Sequence, residues 1–188
     1  IGGIKLDDTE FNGVINNSGS IAADINGIYI GDDVTGNVVI NQTAGELIGE
    51  TALRMNKITR TNFTGGDIIG NVSNHGGAFY VEGNQTIAGD YMQTAGSTLA
   101  MGLHKETSLT ANNISLDKES TVLIDLSKGD MYIRNGDSVE LLKVTADGKI
   151  TDEADYAIAS KLVSIADIKK EDDKVTRIQL VSATLGLV

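Results

Sequence analysis

The chain has 188 residues, enough for one sizeable core or one run of stacked units. Its net charge of −11 leaves no basic face of the kind that phosphate contacts demand, which argues against a nucleic-acid binder. With no cysteine it has neither a disulfide framework nor a thiol catalyst, and no stretch approaches the roughly 18 apolar residues of a membrane helix.

Hydrophobic residues make up 40% of the chain, but aromatics only 4%, so the core must be built from Val, Ile, Leu and Ala. Mid-sized β-branched residues suit a stack whose layers share one width. Glycine is abundant, at 22 residues, and proline is absent. Glycine supplies positive-φ corners, and missing proline fits a ladder that needs nearly every backbone N–H. Absence of cysteine is also compatible with export as an unfolded chain.

In chain order, the sequence begins Ile1-Gly2-Gly3 without a signal peptide, which reads as a processed piece of a longer protein. A phrase then recurs: Val14-Ile15-Asn16-Asn17-Ser18-Gly19-Ser20-Ile21 and Val39-Ile40-Asn41-Gln42-Thr43-Ala44-Gly45-Glu46-Leu47. Looser copies surround Gly76 and Gly96. The four glycines are 26, 31 and 20 residues apart, a period that marks a solenoid. Residues from about Phe11 to about Leu116 read as coils, with short strands such as Gly27–Ile30, Asn37–Ile40, Asp67–Ile69, Ala78–Val81 and Thr98–Met101. The stretch Glu46–Thr64 reads as an insertion or a wider coil, in which Glu50–Met55 is a helical turn or another strand. After about Leu116 the texture changes. Val122–Leu126 and Gly136–Val144 are apolar strands, the second entered from a turn at Arg134-Asn135-Gly136. Ala159–Ile168 and Val175–Val181 flank the charged tip Lys169–Lys174, the pattern of a hairpin with a solvated loop. A helix over Asp152–Ser164 is the alternative. The expected organisation is therefore coils over 1–120 and a cap over 121–188 that covers the open strand edges. Ile15, Ile21, Ile28, Ile30, Val39, Leu47, Ile69, Phe79, Val81, Leu99 and Met101 are expected inside. Longer strands and fewer glycines also predict that the C-terminal third is the most protected part and folds first.

Three stretches resemble the passengers of bacterial autotransporters, the type V secreted family that includes pertactin-like adhesins. Ile15-Asn16-Asn17-Ser18-Gly19-Ser20-Ile21 with Gly27-Ile28-Tyr29-Ile30 is similar to one coil motif of that family, and Ala88–Leu99 to another. Asn135-Gly136-Asp137-Ser138-Val139-Glu140-Leu141-Leu142 is similar to a strand near the passenger's C-terminal end. Asp90 and Val139 depart from the family's Asn and Phe. The resemblance implies an all-β fold, a right-handed parallel β-helix with a β-rich C-terminal cap acting as an autochaperone. It also implies a missing C-terminal membrane barrel and a place on the bacterial cell surface or outer membrane, or secretion. The protease-bearing members carry a Gly-x-Ser-x-Gly nucleophile in a separate domain, and this chain has no such motif.

Candidate chemistry is sparse. His75 and His104 both lie in turns and read as solvated. Ser73 is close to His75 in sequence, but no carboxylate lies near enough to suggest a triad. The pairs Asp7-Asp8, Asp32-Asp33 and Asp172-Asp173 read as turn solvation, because adjacent strand side chains point to opposite faces. Asp32-Asp33, bracketed by Gly31 and Gly36, is the strongest of these as a calcium or acid–base candidate. Asn-x-Ser/Thr sequons occur at Asn16, Asn41, Asn62, Asn71, Asn84 and Asn113, where stacked amide ladders or turns are the expected use. No catalytic, metal or cofactor residues are assigned. The expected function is a non-enzymatic surface stalk or adhesin with a C-terminal folding nucleus. Its expected partners are a host surface protein or glycan, or another cell through self-association. Nucleic acid is not among them, and a membrane only through the missing barrel. The alternative is a polysaccharide-degrading or polysaccharide-binding β-helix, which needs carboxylates or Lys/Arg gathered on one face.

Overall fold

The structure is a computed structural model that describes residues 2–129, 136–160 and 162–182. Among these residues there are twenty strands, numbered β1–β20 in chain order, and no helix. They form the expected all-β parallel solenoid, of about five turns.

Three parallel ladders wrap one core. The first is a sheet of β2 (Glu10–Asn17), β5 (Thr35–Gln42), β7 (Thr59–Phe63), β9 (Ala78–Glu82), β12 (Thr98–Gly102), β15 (Thr121–Asp125) and β18 (Asp155–Ala159). The second stacks β3 (Ser20–Ala22), the start of β6 (Glu46–Met55), the start of β8 (Asp67–Asn74), β10 (Asn84–Ala88), β13 (Ser108–Ala111) and β16 (Ser138–Val144). The third stacks β1 (Ile4–Leu6), β4 (Asn26–Ile30), the ends of β6 and β8, β11 (Tyr91–Gln93), β14 (Ile114–Leu116) and β17 (Ile150–Asp152). β6 and β8 therefore bend from one ladder into the next. They bend where Gly49 and Gly70 stack, and Gly70 has φ +124°, which disfavours any side chain.

Stacking puts like on like. In the first ladder Ile40, Thr61, Phe79, Leu99 and Val122 succeed one another in register. In the third, Ile28, Leu53, Val72, Tyr91, Ile114 and Ile150 do the same. These columns are buried, and apart from Thr61 their residues form one hydrophobic cluster. The few aromatics sit together: Phe79 packs on Phe63 at 6.1 Å and on Tyr91 at 5.2 Å between ring centroids. Buried amides tie the corners to the walls. Asn17 Nδ2 donates to Gln42 Oε1 at 2.7 Å, Tyr91 Oη to Gln93 Oε1 at 2.7 Å, and Gln93 Nε2 to Ser120 Oγ at 3.0 Å.

Coil length is uneven. Val14 pairs with Val39, 25 residues on, Thr61 with Phe79, 18 on, and Ile114 with Ile150, 36 on. The four glycines of the recurring phrase accordingly fall into two columns. Gly19 and Gly45 stack at one corner, together with Gly66, while Gly76 and Gly96 stack at another.

Several expectations need correction. Glu46–Thr64 is no insertion, since β6 and β7 are rungs of the walls, β6 with register shifts at its bend; Glu50–Met55 is strand, one of the two forms the sequence leaves open. Of the expected core, Ile28, Ile30, Leu47, Phe79, Val81, Leu99 and Met101 are sealed, and Ile15 and Ile21 are half-buried against it. Val39 and Ile69 point outward, because Val38, Ile40 and Ile68 take the inward positions of the alternating strand. Parallel stacking also continues past residue 120, through β15, β17 and β18. The expected hairpin is present as β19 (Val163–Glu171) and β20 (Val175–Ser182), joined by a turn in which Asp172 and Asp173 take positive φ. β20 pairs antiparallel with β16, and this closes the second ladder. The turn is pinned to the last coil, because the N–H of Ile150 donates to the Asp173 carbonyl at 2.7 Å and Lys170 reaches buried Asp152 at 3.5 Å. β18 occupies part of the segment that had a helix as its alternative. Apart from Gly136, the turn expected at Arg134-Asn135-Gly136 lies outside the described residues.

Candidate functional site

The densest polar cluster is on the outer side of the first ladder, around β9. Tyr80 and Glu82 are two residues apart on one strand and so share a face. Gly102 stands opposite Glu82 on β12, and a side chain there would collide with the Tyr80 hydroxyl. The glycine thus makes room for Tyr80 Oη, which donates to Glu82 Oε2 at 3.3 Å. Past Gly102 the chain turns and brings His104 Nε2 to 2.9 Å from Glu82 Oε1 and Lys105 Nζ to 3.5 Å. One coil further on, the turn after β15 carries Lys128 Nζ back to 3.3 Å from Glu82 Oε2. The Tyr80 ring is flanked by the Arg60 guanidinium at 5.0 Å and the Lys128 ammonium at 5.3 Å.

Tyr80 is 2% exposed and the Glu82 side chain 17%. Burial by itself pushes the Glu82 carboxyl up, but hydrogen bonds from His104 and Lys128 and the Lys128 charge outweigh it and hold the group below its ordinary value. Asp125 is likewise held low, burial being outweighed by the Ser127 N–H and the charges of Arg60 and Lys128. The Tyr80 phenol is raised, first by burial and then by Glu82 and Asp125, against the opposing pull of Lys128. His104 Nδ1 is buried with no partner among the described residues. The arrangement is a fixed carboxylate holding cations from two later turns, with ammonium and guanidinium donors left facing outward.

A second, smaller group lies on the third ladder. Ser73 Oγ is 2.7 Å from His75 Nε2, so the two do meet. His75 is held below its ordinary value by burial, then by Arg54, with Asp32 opposing. Asp32 is engaged elsewhere, accepting from Arg54 Nη2 at 2.9 Å. Neither histidine is the freely solvated turn residue that the sequence suggests. For His104 the missing signal is coil length. It follows Glu82 by 22 residues, close to one turn of the stack, and two-dimensional adjacency is invisible until the register is known.

The other candidates scatter. Asp7 lies near Lys5 at 3.9 Å, Asp172 and Asp173 shape the hairpin turn, and Asp32 pairs with Arg54. Among the described residues no three His, Asp or Glu gather in a way that could hold a metal ion. The sequon asparagines do stack. Asn62 donates to Asn41 and Asn41 to Asn16, both at 2.9 Å. Asn113 donates to Asp90 at 3.0 Å, the N–H of Asp90 donates to Asn71 at 3.0 Å, and Ser108 donates to Asn84 at 2.9 Å. An open groove of about 540 Å³ lies where the second ladder meets the cap, lined by Asn84, Glu106, Ser108, Ser138, Val139, Glu140 and Arg177.

No family model, no curated protein and no solved structure matches this chain.

Proposed function

We propose that the chain is part of an autotransporter-type passenger: a non-enzymatic stalk at the bacterial surface, or secreted, that acts as an adhesin or virulence factor. The observation that carries this reading is the parallel stack itself. Each turn presents equivalent side chains outward at about 4.8 Å intervals, so binding surface grows with the number of coils rather than being confined to a cleft. Partners of such a surface are a host protein or glycan, or the same protein on another cell. The antiparallel closure by β16, β20 and β19 supports a role for the C-terminal end as a folding nucleus. The test is display of the full passenger on a bacterial surface with assays of attachment and autoaggregation. Attachment above a passenger-free control is expected, and complete absence of both behaviours overturns the reading. Normal display after deletion of Thr121–Val188 overturns the folding role.

A second reading, a polysaccharide-binding or polysaccharide-degrading β-helix, is favoured by the gathering of Arg60, Lys105, Lys128, His104 and Glu82 on one face. Turnover of acidic polysaccharide by the purified chain separates degradation from binding.

A further inference from the structure

We infer that the cluster around Glu82 is a docking site for a carboxylate-bearing sugar unit of a glycan, with the neighbouring neutral units laid along the asparagine row that ends at it. The inference rests on the reading of the chain as a surface binder and names the ligand class and the site.

Three permanent cations, Arg60, Lys105 and Lys128, surround two carboxylates, Glu82 and Asp125. The local balance is therefore one positive charge in surplus, on a chain whose net charge is −11. The cations are held before any ligand arrives. Arg60 and Lys128 rest over the Tyr80 ring, and Lys105 and Lys128 are tethered to Glu82. Holding long side chains in place in advance removes part of the ordering cost of binding. Their donors are not exhausted. An ammonium has three, of which Lys128 gives one to Glu82, while Lys105 faces the same carboxylate as an ion pair at 3.5 Å. Arg60 spends its Nε on Asn62 Oδ1 at 2.9 Å, and its terminal nitrogens have no acceptor among the described residues. An incoming carboxylate is offered the two ammonium groups at Glu82, with the Arg60 guanidinium on the Tyr80 ring beside them, as charge-assisted donors.

The same outward row supplies the sugar's other needs. Asn16, Asn41, Asn62 and Tyr80 follow one another in register, three rungs or about 14 Å long. The side-chain amides form a neutral ladder of donors and acceptors, chemistry that fits hydroxyls rather than further charges. A glycan with one acid group matches a single-charge surplus continuing into a neutral row. A densely sulfated polyanion matches neither, because away from the cluster it meets the field of an acidic protein.

The test is calorimetric or NMR titration of the purified chain with a tetrasaccharide carrying one uronate, the matching neutral tetrasaccharide and a heparin fragment. The uronate form is expected to bind most tightly, and to weaken as salt rises from about 50 to about 500 mM. A Lys105→Gln/Lys128→Gln variant is expected to lose about tenfold in affinity while keeping the parent's β-sheet circular dichroism, since both lysines are exposed and His104 still bonds Glu82. Asn41→Ala is expected to weaken the uronate and neutral forms alike. Equal binding of the two tetrasaccharides, no binding of either, preference for heparin, or an unaffected double variant each overturns the site. Vesicles of phosphatidylglycerol binding as well as the uronate form, and losing that binding in the double variant, would move the anion from glycan to lipid and also overturn it. Bacteria that display the chain and still attach when the double variant is displayed sink this site alone. Bacteria that never attach sink the adhesion reading.

Discussion

Ile68 is sealed in the core, while its neighbour Ile69 is 38% exposed on the outside of the same strand. Placing Asp at Ile68 buries an unpaired carboxyl and is expected to cost several kcal/mol, as it is at Ile28 or Leu99. Asp at Ile69 is expected to cost less than about 1 kcal/mol. Denaturant melts of the pair measure the difference, and equal losses would show the strand to be set the other way round. His75 offers a pH test. Burial and Arg54 keep its folded value below 6.5, so between the two values the unfolded chain holds more protons than the folded one. Stability is therefore expected to fall as pH drops below about 6.5, and to level off once the folded imidazole is also protonated. His75→Gln is expected to remove that part of the slope, and parallel curves for parent and variant would count against it. Tyr91 and Tyr156 are both raised, chiefly by burial and for Tyr156 also by Asp152. Their phenols are expected to stay protonated through the ordinary tyrosine range near pH 10, which a spectrophotometric alkaline titration of the folded protein reads directly.

At the scale of the element, the corners decide which glycines matter. Gly45 has φ +69°, and a methyl group on it would collide with the Gly19 carbonyl in the coil before. Gly45→Ala is therefore expected to destabilise by more than about 1 kcal/mol. Gly19, the same corner one turn earlier, has nothing within 4 Å of a built side chain, so Gly19→Ala is expected to be nearly neutral. Thermal melting of the two variants is the check, and a tolerated Gly45→Ala would mean that the coil relaxes at that corner. The hairpin of β19 and β20 works by a different contact. Its outer strand β19 is only partly buried, while β20 seals Thr176, Ile178 and Leu180 inside, its turn is held by the last coil, and its Lys170 meets a carboxylate, Asp152, whose side chain is 2% exposed. Asp152 also accepts from Tyr156 at 2.7 Å, so one buried acid fastens both the final rung and the hairpin.

Over the whole molecule, burial is deep from the middle coils to the inner strands of the cap, where Leu141, Leu142 and Ile178 are also fully enclosed, and shallow at the two outer ends. Leu53, Met55, Phe63, Phe79, Val81, Leu99 and Met101 are fully enclosed, whereas Ile4, Leu6, Phe11 at one end and Ile158, Val163, Ile165 at the other are only partly so. A coil with a neighbour on both sides loses contacts in two directions when it opens, and an end coil in one. The longer strands and fewer glycines of the C-terminal third point to greatest protection there, but the packing points to the middle. Amides of β6 to β12 are accordingly expected to exchange most slowly, and those of β1 to β3 and of β18 and β19 fastest, while β20 is held between β16 and β19. Hydrogen exchange with residue resolution decides between the two accounts.

Composition and turn chemistry determined the class of fold. Mid-sized β-branched residues, glycine corners, repeated asparagines and the absence of proline leave few ways to bury an apolar face other than stacking short strands. The stacked amides at Asn16, Asn41 and Asn62 were legible for the same reason, since like residues recurred at like places in each coil. Register was not legible. Coil length runs from 18 to 36 residues, and in a strand a slip of one residue sends a side chain to the other face, as at Val39 and Ile69. The cluster on the first ladder depends on that register twice over. Glu82 meets His104 one turn later and Lys128 two turns later, and Gly102 leaves the space for Tyr80. Only the tertiary stack brings these residues together, because neighbours across a solenoid are set by accumulated coil lengths and not by any local pattern.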